Sequence, residues 1–244
     1  MRILIIIPAY NEQDALGGLL GEIRALPNIA ELETVVVDDG SVDRTAEVAR
    51  AGGARVLRLC GNLGIGGAVQ SGLRLAVRDG FDYAVQIDGD GQHPPGELHR
   101  LLEAARGDHA PDLVVGTRHG SNGFRSTAMR RLGSWWLRVV LRIVARVRVT
   151  DPTSGFRLYG PRALALFDET YPYDFPEPES LAVARAAGLK IAEAQVTMRE
   201  RQGGSSSIWG FGALYYMLKV TLAIVLTYGR ARRRPKRKEI EDET

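Results

Sequence analysis

Asp88 and Asp90 stand one glycine apart, and Gln92 follows one further glycine on. Glycine spacers let the backbone fold tightly enough for three side-chain oxygens to converge. Hard oxygen donors of this kind suit Mg2+ or Mn2+ held jointly by protein and substrate phosphates. A cation there would neutralise charge on a departing diphosphate. The same residues also fit a strand-end turn whose aspartates accept backbone amides. His93 suits a backbone hydrogen bond as well as a metal, and is left out of the ligand set. Pro94 keeps His93 extended, and Pro95 suits the first position of a helix carrying Leu98, Leu101 and Leu102.

These residues need a scaffold that aims them at one place. Ile3–Ile7, Glu33–Val37, Arg55–Leu59, Tyr83–Ile87 and Leu113–Val115 read as buried strands, with helices near Asp14–Leu26, Asp43–Ala51, Gly66–Arg78 and Pro95–Ala105 between them. That alternation predicts an α/β fold with a mostly parallel sheet flanked by helices, which binds ligands beyond the carboxyl ends of its strands. A polar cluster follows each of the first four strands: Pro8–Glu12, Asp38–Ser41, Asn62–Gly67 and Asp88–Gln92. All four are expected to line one crevice. Asn62–Gly67 misses the Gly-x-Gly-x-x-Gly spacing and carries no Lys-Ser/Thr, which removes an oxidoreductase reading.

With 244 residues, 45% hydrophobic, the chain is long enough for one α/β domain with a short appendage. The lone cysteine, Cys60, excludes an internal disulfide and points to a reducing compartment; it is expected to be a small buried apolar residue. Ile3–Ile7 is too short for a signal-peptide core and reads as a first strand. The net charge of +3 is unevenly spread. Ser121–Thr150 has no acidic residue but seven arginines, Arg125, Arg130, Arg131, Arg138, Arg142, Arg146 and Arg148, and Arg230–Lys238 is almost continuously basic. Both runs call for an anionic partner. No aromatic–basic interleaving or binding fold supports nucleic acid, so none is expected.

Read in order, Pro8-Ala-Tyr-Asn-Glu12, Asp38-Asp-Gly-Ser-Val-Asp43 and Asp88-Gly-Asp-Gly-Gln-His-Pro-Pro95 resemble family 2 glycosyltransferases. The Gln-His-Pro-Pro ending is most similar to the polyprenyl-phosphate, or dolichol-phosphate mannose synthase, branch. The resemblance covers about residues 1–206 and implies a GT-A nucleotide-diphospho-sugar transferase fold. It implies that Pro8, Tyr10 and Glu12 border the nucleotide of a UDP- or GDP-sugar, that Asp39 contacts its base or ribose, and that Gly67 packs close to it. Asp88, Asp90 and Gln92 would hold the cation, with Asp90 also counted among the catalytic groups. Arg118 would face the phosphates, Arg131 or its neighbour Arg130 the acceptor phosphate, and Arg201, Gly204 and Ser206 would close over the diphosphate. Asp151, in Asp151–Arg157, would shape the acceptor side. Asp43 is expected only to cap the helix that starts near Thr45.

Displacing a nucleoside diphosphate from an anomeric carbon needs leaving-group stabilisation and in-line positioning. A lipid phosphate acceptor arrives ionised, whereas a hydroxyl needs a base. Glu177 and Glu179, in Phe-Pro-Glu-Pro-Glu, are the candidates for that base and depart from the simplest polyprenyl-phosphate pattern. The expected activity is therefore a metal-dependent inverting transfer to a polyprenyl phosphate. Transfer to a hydroxyl of a lipid-linked glycan is the alternative, and a non-catalytic membrane scaffold the second. A homo-oligomer is compatible with the sequence.

A basic amphipathic helix is expected over about 127–148, with Leu132, Trp136, Val139, Val140, Ile143 and Val147 on one face, arginines beside them and Trp135 at the boundary. Ile208–Tyr228 is apolar and long enough to span a bilayer, but Lys219 lies near its middle. A single crossing could not leave both the nucleotide-sugar domain and the basic tail in the cytoplasm. The expectation is a catalytic domain over 1–206, a membrane-interface helix over 207–229 and a charged tail over 230–244, peripheral or monotopic at the cytoplasmic face and attracted to anionic lipid.

Overall fold

The structure is a computed structural model and describes residues 1–27, 30–107, 110–118, 128–199 and 211–233; the side chains of 128–130 and 211–216 are outside the description. Its centre is the apolar run of β1 (Arg2–Ala9). Side chains alternate across a strand, so Ile3, Ile5 and Ile7 enter one core layer while Leu4 and Ile6 enter the other. All five are fully buried, each contributing about 1.5–3 kcal/mol relative to exposure. A strand apolar on both faces belongs at the middle of a covered, mostly parallel sheet.

The sheet has seven strands in the order β3-β2-β1-β4-β6-β5-β7. On one side of β1, β2 (Glu31–Asp38) pairs in parallel from Arg2↔Glu31 to Ala9↔Asp38, and β3 (Arg55–Arg58) forms the edge. On the other side lies β4 (Tyr83–Gln86), parallel from Ile3↔Tyr83. The strand order reverses at β1, which opens a crevice at the carboxyl ends. Beyond β4, the short β6 (Arg157–Tyr159) is antiparallel to both β4 and β5 (Leu113–Arg118), and β7 (Ile191–Val196) runs parallel to β5.

Helices α1 (Gln13–Arg24), α2 (Thr45–Ala51) and α4 (Leu98–Ala104), the last entered through a 3-10 turn at Pro95–Glu97, supply Leu16, Leu20, Ala49, Leu98 and Leu101 to one core layer. The opposite layer is built by α3 (Gly64–Arg78), α5 (Ala128–Val144), α6 (Pro161–Glu169), α7 (Pro176–Ala186) and α8 (Phe211–Arg233). Gly72 lets α3 approach β1 so closely that an added Cβ would collide with Ile6.

Three expectations are corrected here. Cys60 is exposed, because it follows the edge strand β3, whose residues are only half covered. The apolar face expected on the basic helix is divided: Val140 joins Leu137 and Leu141 in the core, whereas Leu132, Trp135 and Ile143 face outward. Val147 lies beyond the end of α5, since Arg146 adopts a left-handed φ of 55° that stops the helix. The C-terminal helix α8 packs on the core along one face. Val220 and Ile224 of α8 are buried in the core, Trp136 donates to Thr221 Oγ1 at 2.9 Å, and Thr227 Oγ1 donates to Glu179 Oε2 at 2.6 Å. Leu218, Leu222, Val225 and Leu226 form its exposed face. Among the described residues, no helix is long and apolar enough to cross a membrane.

Candidate active site

The loops after β1, β2, β3 and β4 open onto one cavity of about 450 Å3. Pro8, Ala9, Tyr10 and Glu12 line it from β1, Asp39 from β2, Asn62, Gly64, Ile65 and Ala68 from the start of α3, and Asp88, Gly89 and Asp90 from β4. Hydrogen bonds lock the loops to one another. Asn11 Oδ1 accepts the Val42 amide at 3.0 Å, and the Glu12 amide donates to Thr45 Oγ1 at 2.9 Å. Asp39 is buried and accepts the Leu63 and Gly64 amides at 2.7 and 2.8 Å, so it anchors the N-terminus of α3 to the end of β2. Asp43 accepts the Thr45 amide at 2.9 Å and the Gln13 amide at 3.2 Å. Burial works against its ionised form, yet the hydrogen bonds from Thr45 and Gln13 prevail and hold the carboxyl below its ordinary pKa. Asp43 thus ties α1 to the first residue of α2 from one position before the N-cap, Arg44, instead of capping the helix itself.

At the end of β4, Gln86 Nε2 donates to Asp88 Oδ1 at 3.1 Å, while Gln86 Oε1 accepts the Tyr159 hydroxyl at 3.0 Å. Tyr159 in turn lies 3.2 Å from the Tyr171 hydroxyl. Burial raises the pKa of both phenols, which keeps this chain of hydrogen bonds protonated. His93 is buried, its Nδ1 accepts the Asp88 amide at 3.2 Å, and its ring stacks on Phe156 with centroids 5.3 Å apart. It therefore fixes the turn that presents Asp88. Gln92 donates its backbone amide to Asp90 Oδ1 at 3.0 Å and its Nε2 to Asp90 Oδ2 at 2.7 Å.

The loop Asp151–Arg157 backs this acidic turn. A Cβ at Gly155 would lie 2.5 Å from Asp88 Oδ2, so only glycine leaves the carboxylate its space. Arg157 is fully buried and donates to Ser154 O at 2.8 Å, Ser180 Oγ at 2.6 Å and Glu177 O at 2.8 Å. It ties the loop to the first turn of α7. Two carboxylates and an amide, with a cradle kept open by Gly155, fit a hard divalent cation. No group of three or more His, Cys, Asp or Glu able to hold a metal exists among the described residues. Phosphate oxygens of a substrate would have to complete the shell, as is usual for Mg2+.

A sequence model of Glycosyl transferase family 2 matches residues 4–165. The chain belongs to that family. It is 36% identical over 222 residues to an undecaprenyl-phosphate mannosyltransferase of Micrococcus luteus, covering 86% of this chain and 88% of that one. It is 32% identical over 239 residues to a polyprenol monophosphomannose synthase of Mycolicibacterium smegmatis, covering 90% and 85%. Glucosyl-3-phosphoglycerate synthase of Mycobacterium tuberculosis, crystallised with Mn2+, uridine diphosphate and phosphoglyceric acid, superposes with a TM-score of 0.70 at 20% identity, over 96% of this chain and 79% of that one. That likeness places the chain in the GT-A fold.

In this glycosyltransferase, the cavity brings together Pro8, Tyr10, Glu12, Asp39, Asp88 and Asp90 from the residues that sequence reasoning singled out. Gln92 bonds Asp90 beside it, and Gly67 lies buried in the first turn of α3, one residue before Ala68 of the lining. Arg118 closes β5, its Nε 3.1 Å from Met198 Sδ and 3.8 Å from Asp151 Oδ2. Arg131 is exposed in the first turns of α5. Arg201, Gly204 and Ser206 lie outside the described residues, as does the side chain of Arg130.

The two glutamates part company. Glu179 is buried, with Oε1 accepting the Phe175 amide at 3.0 Å and Oε2 accepting Thr227, so both oxygens hold α7 and α8 in place. Glu177 is half-buried; loss of hydration raises its pKa, Arg157 opposes that, and the Asp88 charge adds to it. Glu177 thus lies within electrostatic reach of Asp88. Sequence reasoning missed Gln86, Tyr159 and Arg157 as supports. A glutamine inside an otherwise apolar strand, and an arginine within the short apolar stretch after Asp-Pro-Thr-Ser-Gly-Phe, were the available signals.

Proposed function

We propose that this glycosyltransferase moves a sugar from a UDP- or GDP-sugar to a polyprenyl phosphate, with inversion at the anomeric carbon. The observation that carries the reading is the convergence of Asp88 and Asp90 with the three neighbouring loops on one cavity at the strand-order reversal. Pro8, Tyr10, Glu12, Asp39 and Gly67 border the nucleotide in this reading. Asp88, Asp90 and Gln92 would hold Mg2+ or Mn2+, which when bound would supply positive charge to stabilise the departing diphosphate. Arg118, with Arg201 and Ser206, faces the same phosphates, and Arg131 receives the acceptor phosphate by charge-assisted hydrogen bonds.

An oxygen of the lipid phosphate forms a bond to the anomeric carbon as the bond to the β-phosphate oxygen breaks, its electron pair leaving with the nucleoside diphosphate. The acceptor oxygen carries no proton to be removed, so the protein's task is positioning and electrostatic stabilisation. The names of the two relatives put mannose first among the sugars to be tried.

The exposed apolar residues of α5 and α8, flanked by arginines, support peripheral attachment to an anionic membrane surface at the cytoplasmic face, where both nucleotide sugar and lipid phosphate can reach the cavity. Residues 1–206 then form the catalytic domain, with α8 and the basic tail as its membrane-side appendage.

A second reading, transfer to a hydroxyl, is favoured by one observation: the Glu177 carboxyl has a raised pKa beside the acidic turn, as suits a general base. Turnover of wild type, Glu177→Gln and Glu179→Gln with a polyprenyl phosphate as sole acceptor separates the two. The phosphate reading expects both variants to keep most of the activity. A folded Glu177→Gln variant that loses more than about 100-fold transfers the assignment to the hydroxyl reading.

A further inference from the structure

Arg142, Arg146, Arg148 and Arg185 line a second cleft, of about 380 Å3, which shares no residue with the donor cavity. The local backbone explains how they meet. Leu141 O accepts the amides of both Ala145 and Val147, and Arg146 turns left-handed, so α5 ends there. Beyond Arg146 the side chains alternate, with Val147 and Val149 buried and Arg146 and Arg148 exposed. Arg142 comes from the last turn of α5 and Arg185 from the last turn of α7.

Several arginines elsewhere are neutralised, Arg55 by Asp79, Arg162 by Asp112 and Arg199 by Glu22, and others such as Arg24 and Arg50 stand singly, whereas the cleft gathers four. None of the four cleft arginines has an ion pair among the described residues. The acids nearby in sequence are engaged with others, Asp151 with Thr153 and Arg118, and Glu193 with Thr150. Four guanidinium groups around one hollow repel one another, and an anion offering several oxygens relieves that repulsion while satisfying their planar donors.

Ile143, 74% exposed, follows Arg142 directly, and Trp135 and Leu132 continue the exposed face of the same helix. An anion site bordered by bare apolar side chains matches a phosphate that carries acyl chains better than one free in water. Arg142 lies eleven residues along α5 from Arg131, roughly 16 Å, so the cleft is separate from the region assigned to the acceptor.

We propose that this cleft binds the headgroup phosphate of an anionic membrane phospholipid and so fixes the orientation of the enzyme on the bilayer. The proposal rests on the peripheral-attachment reading above. The test is flotation of the full chain with phosphatidylglycerol–phosphatidylcholine vesicles, comparing wild type, Arg146→Gln/Arg148→Gln, and Arg24→Gln/Arg50→Gln. The last pair removes the same charge from the helices on the opposite face of the sheet. The cleft pair is expected to lose about 10-fold or more in vesicle affinity and the distant pair less than about 3-fold. Transfer to a detergent-dispersed acceptor should be unchanged in the cleft pair. Equal binding by cleft pair and wild type, or equal loss in both pairs, overturns the cleft while leaving peripheral attachment standing. Wild type that ignores the vesicles overturns both. A calorimetric titration with inorganic phosphate in the absence of lipid separates the sources. Binding that disappears in the cleft pair, together with release from vesicles by phosphate at matched ionic strength, would assign the cleft to a soluble phosphate and overturn the lipid proposal.

Discussion

Gln86 Nε2 donates a 3.1 Å hydrogen bond to Asp88 Oδ1, and the Tyr159 hydroxyl fixes which end of the Gln86 amide faces the carboxylate. The acidic turn is thereby held from inside the core, two residues back along its own strand. Supports of this kind set the direction of a ligand oxygen without touching the substrate.

Gln86→Met keeps volume and removes the donor. The expected outcome is a 10-fold to 100-fold loss in kcat/KM with a raised Mn2+ requirement, and a Tm lowered by a few degrees because the buried Tyr159 hydroxyl loses its acceptor. A Mn2+ titration of the rate checks it; an unchanged Mn2+ requirement would remove Gln86 from the positioning of Asp88.

Arg157 satisfies carbonyls on both the loop that backs Asp88 and the first turn of α7. Arg157→Met takes the guanidinium from the loop carbonyls of Ser154 and Pro152, at about 1–3 kcal/mol for each, while Glu177 O keeps the Ser180 hydroxyl. Urea unfolding is expected to show a loss of about 3 kcal/mol or more, with Arg157→Lys recovering little because a single ammonium cannot reach all three partners. A loss below about 1 kcal/mol would contradict this role.

Much of this was legible in the sequence. The strands β1 to β5 read correctly because each holds a short apolar run, and the cavity forms where the polar clusters that follow the first four meet. The three residues of β6 are too short to show a period, and in β7 the order Ile-Ala-Glu-Ala-Gln-Val gives too little contrast between its faces. The sequence could place Glu177 and Glu179 on one helix start, but not reveal that Glu179 faces Thr227 of α8. Long-range partners such as Gln86 with Tyr159, or Arg157 with Ser180, leave no local pattern at all.

Glu179 links two helices, so its removal should loosen α8 more than it slows chemistry. Glu179→Ala unpairs the Phe175 amide and Thr227, at an expected cost of about 1–3 kcal/mol. Limited proteolysis should cut α8 faster in this variant and in Thr227→Val. Unchanged cleavage in both would show that the contact does not hold the helix.

Loss of hydration raises the Glu177 pKa, so the folded chain keeps this proton to higher pH than the unfolded chain. Stability therefore falls as pH rises from the ordinary glutamate value of about 4.3 through the raised folded value, and the penalty is complete above it. Glu177→Gln is expected to flatten that part of a Tm–pH profile taken in EDTA and to be the more stable form at neutral pH. Parallel profiles would place Glu177 in water.

The central claim is that the Asp88–Asp90 cavity transfers a sugar to a lipid phosphate with help from a divalent cation. The direct measurement is mass spectrometry of the lipid product from purified enzyme, a panel of UDP- and GDP-sugars with GDP-mannose first, and a polyprenyl phosphate as sole acceptor. The expected result is one glycosyl-phosphate lipid formed by wild type in Mn2+ or Mg2+, absent in EDTA and absent for folded Asp88→Asn and Asp90→Asn. Product formed at the full rate in EDTA or by both variants, or no product from wild type with any donor while a hydroxyl acceptor is glycosylated, would contradict it.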